Sequence, residues 1–249
     1  MRGREFEARQ REREWFHGLV VPRGSWPIIR VDGRGFSNFT EERFDKPFDE
    51  RFSRLMVDTA RAMLTEFGAR YVYTESDEIS LLLPADTNVF GRGVEKIVSL
   101  TAGLASAVFT HGMGEPATFD SRIWLGNNRG DVLDYFSWRQ ADATRCALNG
   151  WCYWTLRKAG RTSRQADKAI EGKNAAAKNE LLYEEGINFN EVPAWQRRGI
   201  GLWLEEFERP GHDPITGEDV VATRRRVRVE RELPMKDDYR AFLTDTVKV

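Results

Sequence analysis

Three carboxylates in two short motifs offer the strongest chemistry in this chain. Asp32 ends the apolar run Ile28-Ile29-Arg30-Val31-Asp32-Gly33-Arg34, and Asp77 and Glu78 lie inside Tyr73-Thr74-Glu75-Ser76-Asp77-Glu78-Ile79-Ser80-Leu81-Leu82-Leu83. Each motif sets acids at the mouth of a strand. A two-metal phosphoryl-transfer site needs that arrangement, with carboxylates from neighbouring strand ends holding Mg²⁺ ions about 3.5–4 Å apart. Asp and Glu supply the hard oxygen donors that Mg²⁺ and nucleotide phosphates call for. Taken singly, each motif reads first as an ordinary turn: Ser-Asp-Glu between strands, or Asp-Gly after one. Together they point to nucleotidyl transfer.

Around these acids stand groups of lower specificity. The loop Gly33-Arg34-Gly35-Phe36-Ser37 has backbone N–H groups able to cradle a triphosphate and an arginine able to neutralise it; it also reads as a plain strand-to-helix turn. Lys46, Arg92, Lys96, Lys173 and Lys178 fall near predicted element ends, where a solvated face is the default. In Arg224-Arg225-Arg226-Val227-Arg228-Val229, the strand period puts Arg224, Arg226 and Arg228 on one face. That face fits an RNA-backbone ridge or an edge strand blunted by charge, with equal weight.

The elements that must position the acids follow from periodicity. Residues 3–16 predict a charged helix and 27–32 a buried strand. Residues 48–67 carry a helical apolar stripe, Phe52, Leu55, Met56, Ala60, Met63, Leu64 and Phe67, stopped by Gly68. Tyr71–Tyr73 and Ile79–Leu83 are strands around the acidic turn, 94–110 a helix and 117–125 a strand. The order β-α-β-β-α-β is the ferredoxin-like pattern of an α+β fold, in which the first and third strands are antiparallel central neighbours. Asp32 should then lie beside Asp77 and Glu78. A long helix is expected from Gly130 to about Gly160, with its tryptophans in the core. Another follows at 163–185, interrupted at Gly172, and then strands at 199–208 and 220–233. Pro210-Gly211-His212-Asp213-Pro214 reads as a turn between those strands. The division of labour is taken as a catalytic part over 1–135 and a helical and strand region over 136–249 packed on it.

Composition narrows the classes. Of 249 residues, 41% are hydrophobic and 31% charged, which excludes a disordered tail. The balance of 38 basic and 39 acidic residues leaves a net charge of −1, so any RNA contact must come from a local patch. Cys146 and Cys152, about 600° apart on a helix, cannot pair with each other, and the absence of a disulfide framework suggests a reducing, cytoplasmic setting. His17, His111 and His212 sit among residues that suggest no zinc cluster. The charged start has no signal-peptide core, and no apolar stretch long enough to span a membrane occurs.

At this point the motifs resemble a known family, the tRNA(His) guanylyltransferases, which add nucleotides to a 5′ end in the 3′→5′ direction. The stretches IIRVDGRGFSNFT, FDKPFDERF, YTESDEISLLL, FDSRIW, DYFSWRQADA and AAAKNELLYEEGINFNEVP carry the resemblance, in order, from about residue 27 to 205. It implies a polymerase-like palm with a C-terminal helical extension, and a homotetramer built as a dimer of dimers. It implies two Mg²⁺ ions on Asp32, the Gly33 carbonyl and Asp77, with Glu78 as the second acid. Nucleotide binding would map to Asp32, Gly33, Arg34, Gly35, Phe36, Ser37, Ser76 and Asp77. Arg30, Lys46, Asp49, Lys96, Lys178 and Asn179 match polar positions tied to triphosphate handling, and Arg92 a thinned basic cluster.

Members specific for tRNA(His) carry His-Ile-Asn-Asn-Leu-Tyr-Asn after WRQAD; here that place reads Thr144-Arg145-Cys146-Ala147-Leu148-Asn149-Gly150. Lys46-Pro47-Phe48-Asp49 replaces Lys-Pro-Asn-Asp, and Ser37 stands where eukaryotic enzymes have histidine. These differences resemble the guanylyltransferase-like branch, which extends 5′-truncated RNAs against a template. The expectation is a tRNA 5′-end repair enzyme using ATP, GTP and other NTPs. The alternatives are tRNA(His)-specific G addition, a palm-fold cyclase or small-molecule nucleotidyltransferase, and an RNA-binding module without catalysis.

Overall fold

In the computed structural model the described residues are 2–212, 217 and 219–248. Helix α1 spans Arg2–Arg11 and strand β1 Trp26–Gly33. Helices α2 (Phe36–Arg43) and α3 (Glu50–Glu66) follow, then strands β2 (Tyr71–Glu75) and β3 (Glu78–Leu82). Next come α4 (Val94–Met113), β4 (Phe119–Gly126), α5 (Arg129–Lys158), α6 (Ser163–Ile170), α7 (Ala175–Glu184) and α8 (Ala194–Arg198). The chain closes with β5 (Ile200–His212), β6 (Asp219–Glu230) and α9 (Lys236–Asp245).

The strands form one sheet in the order β4-β1-β3-β2-β5-β6, and every neighbouring pair is antiparallel. β1 and β3 are inner neighbours, and Asp32 pairs in register with Glu78, as the element order predicts. Alternation along the strands divides the core in two. Ile29, Val31, Val72, Ile79, Leu81 and Leu202 face α3 and α4. Ile28, Tyr71, Tyr73, Leu82 and Trp203 face α5 and α9.

Local sequence explains most boundaries. Asp49 accepts a hydrogen bond from the Arg51 N–H and starts α3. Asn128 does the same for α5, and Thr162 with Gln165 forms a capping box for α6. Gly172, at φ +68, separates α6 from α7, so the expected interruption becomes a full break.

Several expectations are corrected. The loop expected over Gly33–Ser37 ends at Gly35 and an unexpected helix runs over Phe36–Arg43, because Gly35 at φ +73 turns the chain and Phe36 anchors it among Phe39, Phe109 and Phe119. Helix α9 was not foreseen; its Tyr239 and Leu243 complete the core beneath Trp203. The N-terminal helix stops at Arg11. Pro210, Gly211 and His212 belong to β5 instead of a turn, while Asp213 and Pro214 lie outside the described residues. The α5 tryptophans are not uniformly core: Trp138 is 52% exposed. The division at 135/136 falls inside α5, and β5 and β6 continue the same sheet.

Candidate active site

β1 and the β2–β3 hairpin bring the first acids together. Ser76, at φ +48, and Asp77 form the two-residue turn between the paired Glu75 and Glu78. The Gly33 N–H donates to the Asp77 carbonyl at 3.1 Å, tying this turn to the end of β1. Gly33 is required sterically, since a Cβ there would lie 2.5 Å from the Phe36 ring. The Ser76 hydroxyl donates to Asp77 Oδ1 at 3.0 Å. Burial, followed by the charge of Asp32, pushes the Asp77 carboxyl above its ordinary value. Two repelling hard-oxygen donors at one corner, with the Gly33 backbone between them, fit a divalent cation that takes its other ligands from phosphate and water.

Glu78 is placed differently from Asp77. It is buried and forked by Arg139 of α5, whose Nε donates to Oε1 and Nη2 to Oε2, both at 2.7 Å. Arg139 Nη2 also reaches Glu75 at 3.2 Å and Asp142 at 3.2 Å. One guanidinium therefore holds three carboxylates. Glu78, expected as the second acid, is thereby tied into an ion-pair network at the strand end opposite Asp32. Burial and the Glu78 charge push Glu75 up to about 8, with Arg139 opposing. Arg122 of β4 stands 4.0 Å from Asp32 and 2.7 Å from Asp120.

The glycine loop is only partly free. The Gly33 and Arg34 N–H groups are engaged by the carbonyls of Asp77 and Thr118, at 3.1 and 2.9 Å. The first turn of α2, from Phe36 and Ser37 onward, keeps the outward N–H groups of a helix start beside the acids. Phe36 itself is buried in the aromatic cluster, so its contribution to a ligand is backbone.

Beside Asp77 opens a cavity of about 390 Å³ lined by Ser37, Lys46, Phe48, Glu75, Trp154 and Trp195 among others. Lys46 donates to Thr40 at 2.6 Å, lies over the Trp154 ring, and is lowered by burial against the pull of Glu41 and Asp77. Asp49 also lines this cavity but is committed to Arg51 and the Asp45 N–H; those bonds hold it down at about 2.

Other expected residues lie elsewhere. Lys96 is exposed on the first turn of α4, and Lys178 and Asn179 sit on α7, off the cavity wall. Arg92, read as an RNA contact, is 5% exposed, and its guanidinium donates to the carbonyls of Val21, Pro22, Ala85 and Thr87. It is a structural clamp. Arg226 pairs with Glu205 at 2.6 Å and Arg228 with Glu230 at 3.6 Å, while Arg224 is exposed beyond them on β6. Arg139, Glu75, Arg122 and the cavity aromatics were missed. The i,i+3 pair Arg139–Asp142 was their one local signal, and which strand they face is tertiary.

A carboxylate corner, a helix start and an aromatic-walled cavity with a lysine together suit a ligand bearing both a base and phosphates. The family model described as tRNAHis guanylyltransferase matches residues 7–127, and that of the Thg1 C terminal domain matches residues 130–238. A probable tRNA(His) guanylyltransferase of Dictyostelium discoideum is 33% identical over 224 residues, covering 85% of this chain and 86% of the relative. Two solved structures of a bacterial tRNA(His) guanylyltransferase (Thg1)-like protein, in complex with GTP and with ATP, superpose with TM-scores of 0.74 and 0.75. Each is 26% identical and covers 98% of this chain and 100% or 99% of its own. The chain belongs to the tRNA(His) guanylyltransferase family, and it is a nucleotidyltransferase.

Proposed function

We propose that this enzyme repairs tRNA 5′ ends by template-dependent 3′→5′ nucleotide addition on a polymerase-like palm. The observation that carries the reading is the junction of Asp32 and Asp77 with the α2 N-terminus and the aromatic cavity. A 5′-monophosphate oxygen attacks the α-phosphorus of ATP, releasing pyrophosphate and leaving an adenylylated end. The 3′-hydroxyl of an incoming NTP then attacks the 5′-phosphate, its proton passing to solvent, and AMP leaves.

This chain's residues bind and orient these groups. The cavity between Trp154, Trp195 and Phe48 takes a base, and Lys46 with the first turn of α2 takes phosphate charge. Arg139 fixes Glu75 and Glu78, so that the hairpin carrying Asp77 keeps one geometry. Asp32, Asp77 and the Gly33 carbonyl would hold magnesium, which when bound supplies charge neutralisation at the transferred phosphate and a lower pKa for the attacking hydroxyl. Arg30, Arg34, Lys96, Lys178 and Asn179 extend the phosphate- and RNA-facing set. Residues 1–135 supply the chemistry, and 136–249 the cavity's second wall and RNA contacts. The working assembly is a homotetramer, and the setting is cytoplasmic. No helix among the described residues is long and apolar enough to cross a membrane.

A second reading, addition of one G to tRNA(His), is supported by the relatives named tRNA(His) guanylyltransferase. An extension assay separates the two. It uses tRNA(His) and another tRNA, each lacking its first 5′ nucleotide, with each NTP alone and Mg²⁺ present. Addition of the complementary base to both RNAs is expected. G addition confined to tRNA(His) would replace the repair reading with the stricter one.

A further inference from the structure

Transfer between two nucleotides needs two base-sized sites flanking the reacting phosphate, and the aromatic cavity supplies one. Earlier on α5 than the cavity's Trp154, and beside Arg30 of β1, stands Trp138. Trp138 is 52% exposed, on a helix whose opposite face is core. The ring is held on one side and leaves about half of the residue open to solvent.

Its surroundings are specific. The Arg139 guanidinium lies 4.7 Å and that of Arg30 5.7 Å from the ring centroid, and the Tyr135 ring centroid is 5.7 Å away. These three neighbours fix the indole in place. Arg139 is the residue that forks Glu78, which pairs in register with Asp32. Arg30 pairs in register with Arg122, which reaches toward Asp32. Arg30 Nε is buried and has no hydrogen-bond partner among the described residues; Glu78 is 3.9 Å away. The acidic groups facing this patch are Asp32, Glu78 and Asp120, and the basic ones are Arg30, Arg122 and Arg139.

Resting on the function proposed above, we infer that Trp138 is the stacking platform for the 5′-terminal base of the RNA, with Arg30 and Arg122 beside it for the adjoining phosphate. The occupant follows from shape and charge. A free nucleotide held by one open ring has no second wall, whereas an RNA anchored elsewhere needs one platform to place its end. Arginines around an aromatic face suit a base with its phosphate. The cavity then holds the activating or incoming nucleotide.

The test uses the full-length enzyme and a 5′-truncated tRNA carrying 2-aminopurine at its first position. Binding to wild type should quench the probe, Trp138→Phe should quench in part, and Trp138→Leu should not. With a 5′-triphosphorylated RNA, which bypasses activation, Trp138→Leu should raise the RNA KM roughly 5- to 150-fold, the range of one aromatic–base stack, with NTP KM unchanged. Thermal unfolding at the wild-type midpoint would exclude a folding defect. An active wild type with unquenched probe, or a Leu variant that quenches and binds RNA like wild type, overturns this inference alone. A wild type unable to extend any RNA overturns the proposed function and this inference with it.

Discussion

In the proposed function Asp32 and Asp77 act as a pair, two carboxylates at one corner. Asp32→Ala or Asp77→Ala should cut nucleotide transfer by ~10³-fold or more while leaving the circular dichroism spectrum and melting midpoint near wild type. Near-normal turnover in either variant would remove the acids from the mechanism. Glu75 has a different signature. With a folded-state value of about 8 against an unfolded 4.5, the folded chain keeps a proton that the unfolded chain releases across that window. Unfolding therefore releases a proton, and stability falls as pH rises from about 4.5 to about 8. Asp77 and Glu78, also raised, push the same way. Melting midpoints in metal-free buffer should decline over this range, and Glu75→Gln should flatten the decline. A midpoint that rises through the window would contradict the sign.

At the scale of elements, two arginines join parts that local propensity does not. Arg139 ties α5 to the β2–β3 hairpin through Glu75 and Glu78. Arg139→Ala strands the buried Glu78 carboxylate and should cost about 3–5 kcal/mol in denaturant unfolding. Arg92 ties the loop before α4 to Val21 and Pro22 ahead of β1. Arg92→Ala should destabilise by about 2–3 kcal/mol, since several charge-assisted bonds go at once. RNA affinity, measured on the folded fraction, should stay unchanged; a selective loss of affinity would restore Arg92 as an RNA contact. Strand and helix positions were legible in the sequence because their periods are local: β1, α3, the hairpin strands and α5 all fall within a few residues of expectation. Helix α2 was not, because its start depends on Phe36 docking against Phe109 and Phe119, residues far along the chain.

For the whole molecule, a net charge of −1 means RNA is held by local groups and not by a general field. On β6, Arg226 and Arg228 already have acidic partners, so meeting RNA would exchange Glu205 and Glu230 for phosphate. If that face carries the backbone, alanine at Arg224, Arg226 and Arg228 together should lower the slope of log affinity against log salt by roughly 2. A slope unchanged by the triple substitution would leave the charged edge as protection against strand-to-strand aggregation. Sedimentation of the intact enzyme would read the proposed tetramer directly.

What the amino-acid order determined by itself was the strands of the β-α-β-β-α-β unit, its two long helices and α5, and the meeting of Asp32 with the Ser76–Glu78 turn. Both follow from short-range patterns: the strand alternation, the helical stripe, and a β-α-β-β-α-β order that leaves few ways to pair strands. What only the tertiary structure decided was how the acids are divided. Asp77 borders the cavity, whereas Glu78 is tied to Arg139. Arg92 and Trp138 changed roles for the same reason. Burial and ion pairing are set by what α5 and the loop before α4 place above each residue, and those neighbours are distant in sequence. A side chain's chemistry is written in its residue type; which of its groups remain free is written in the packing.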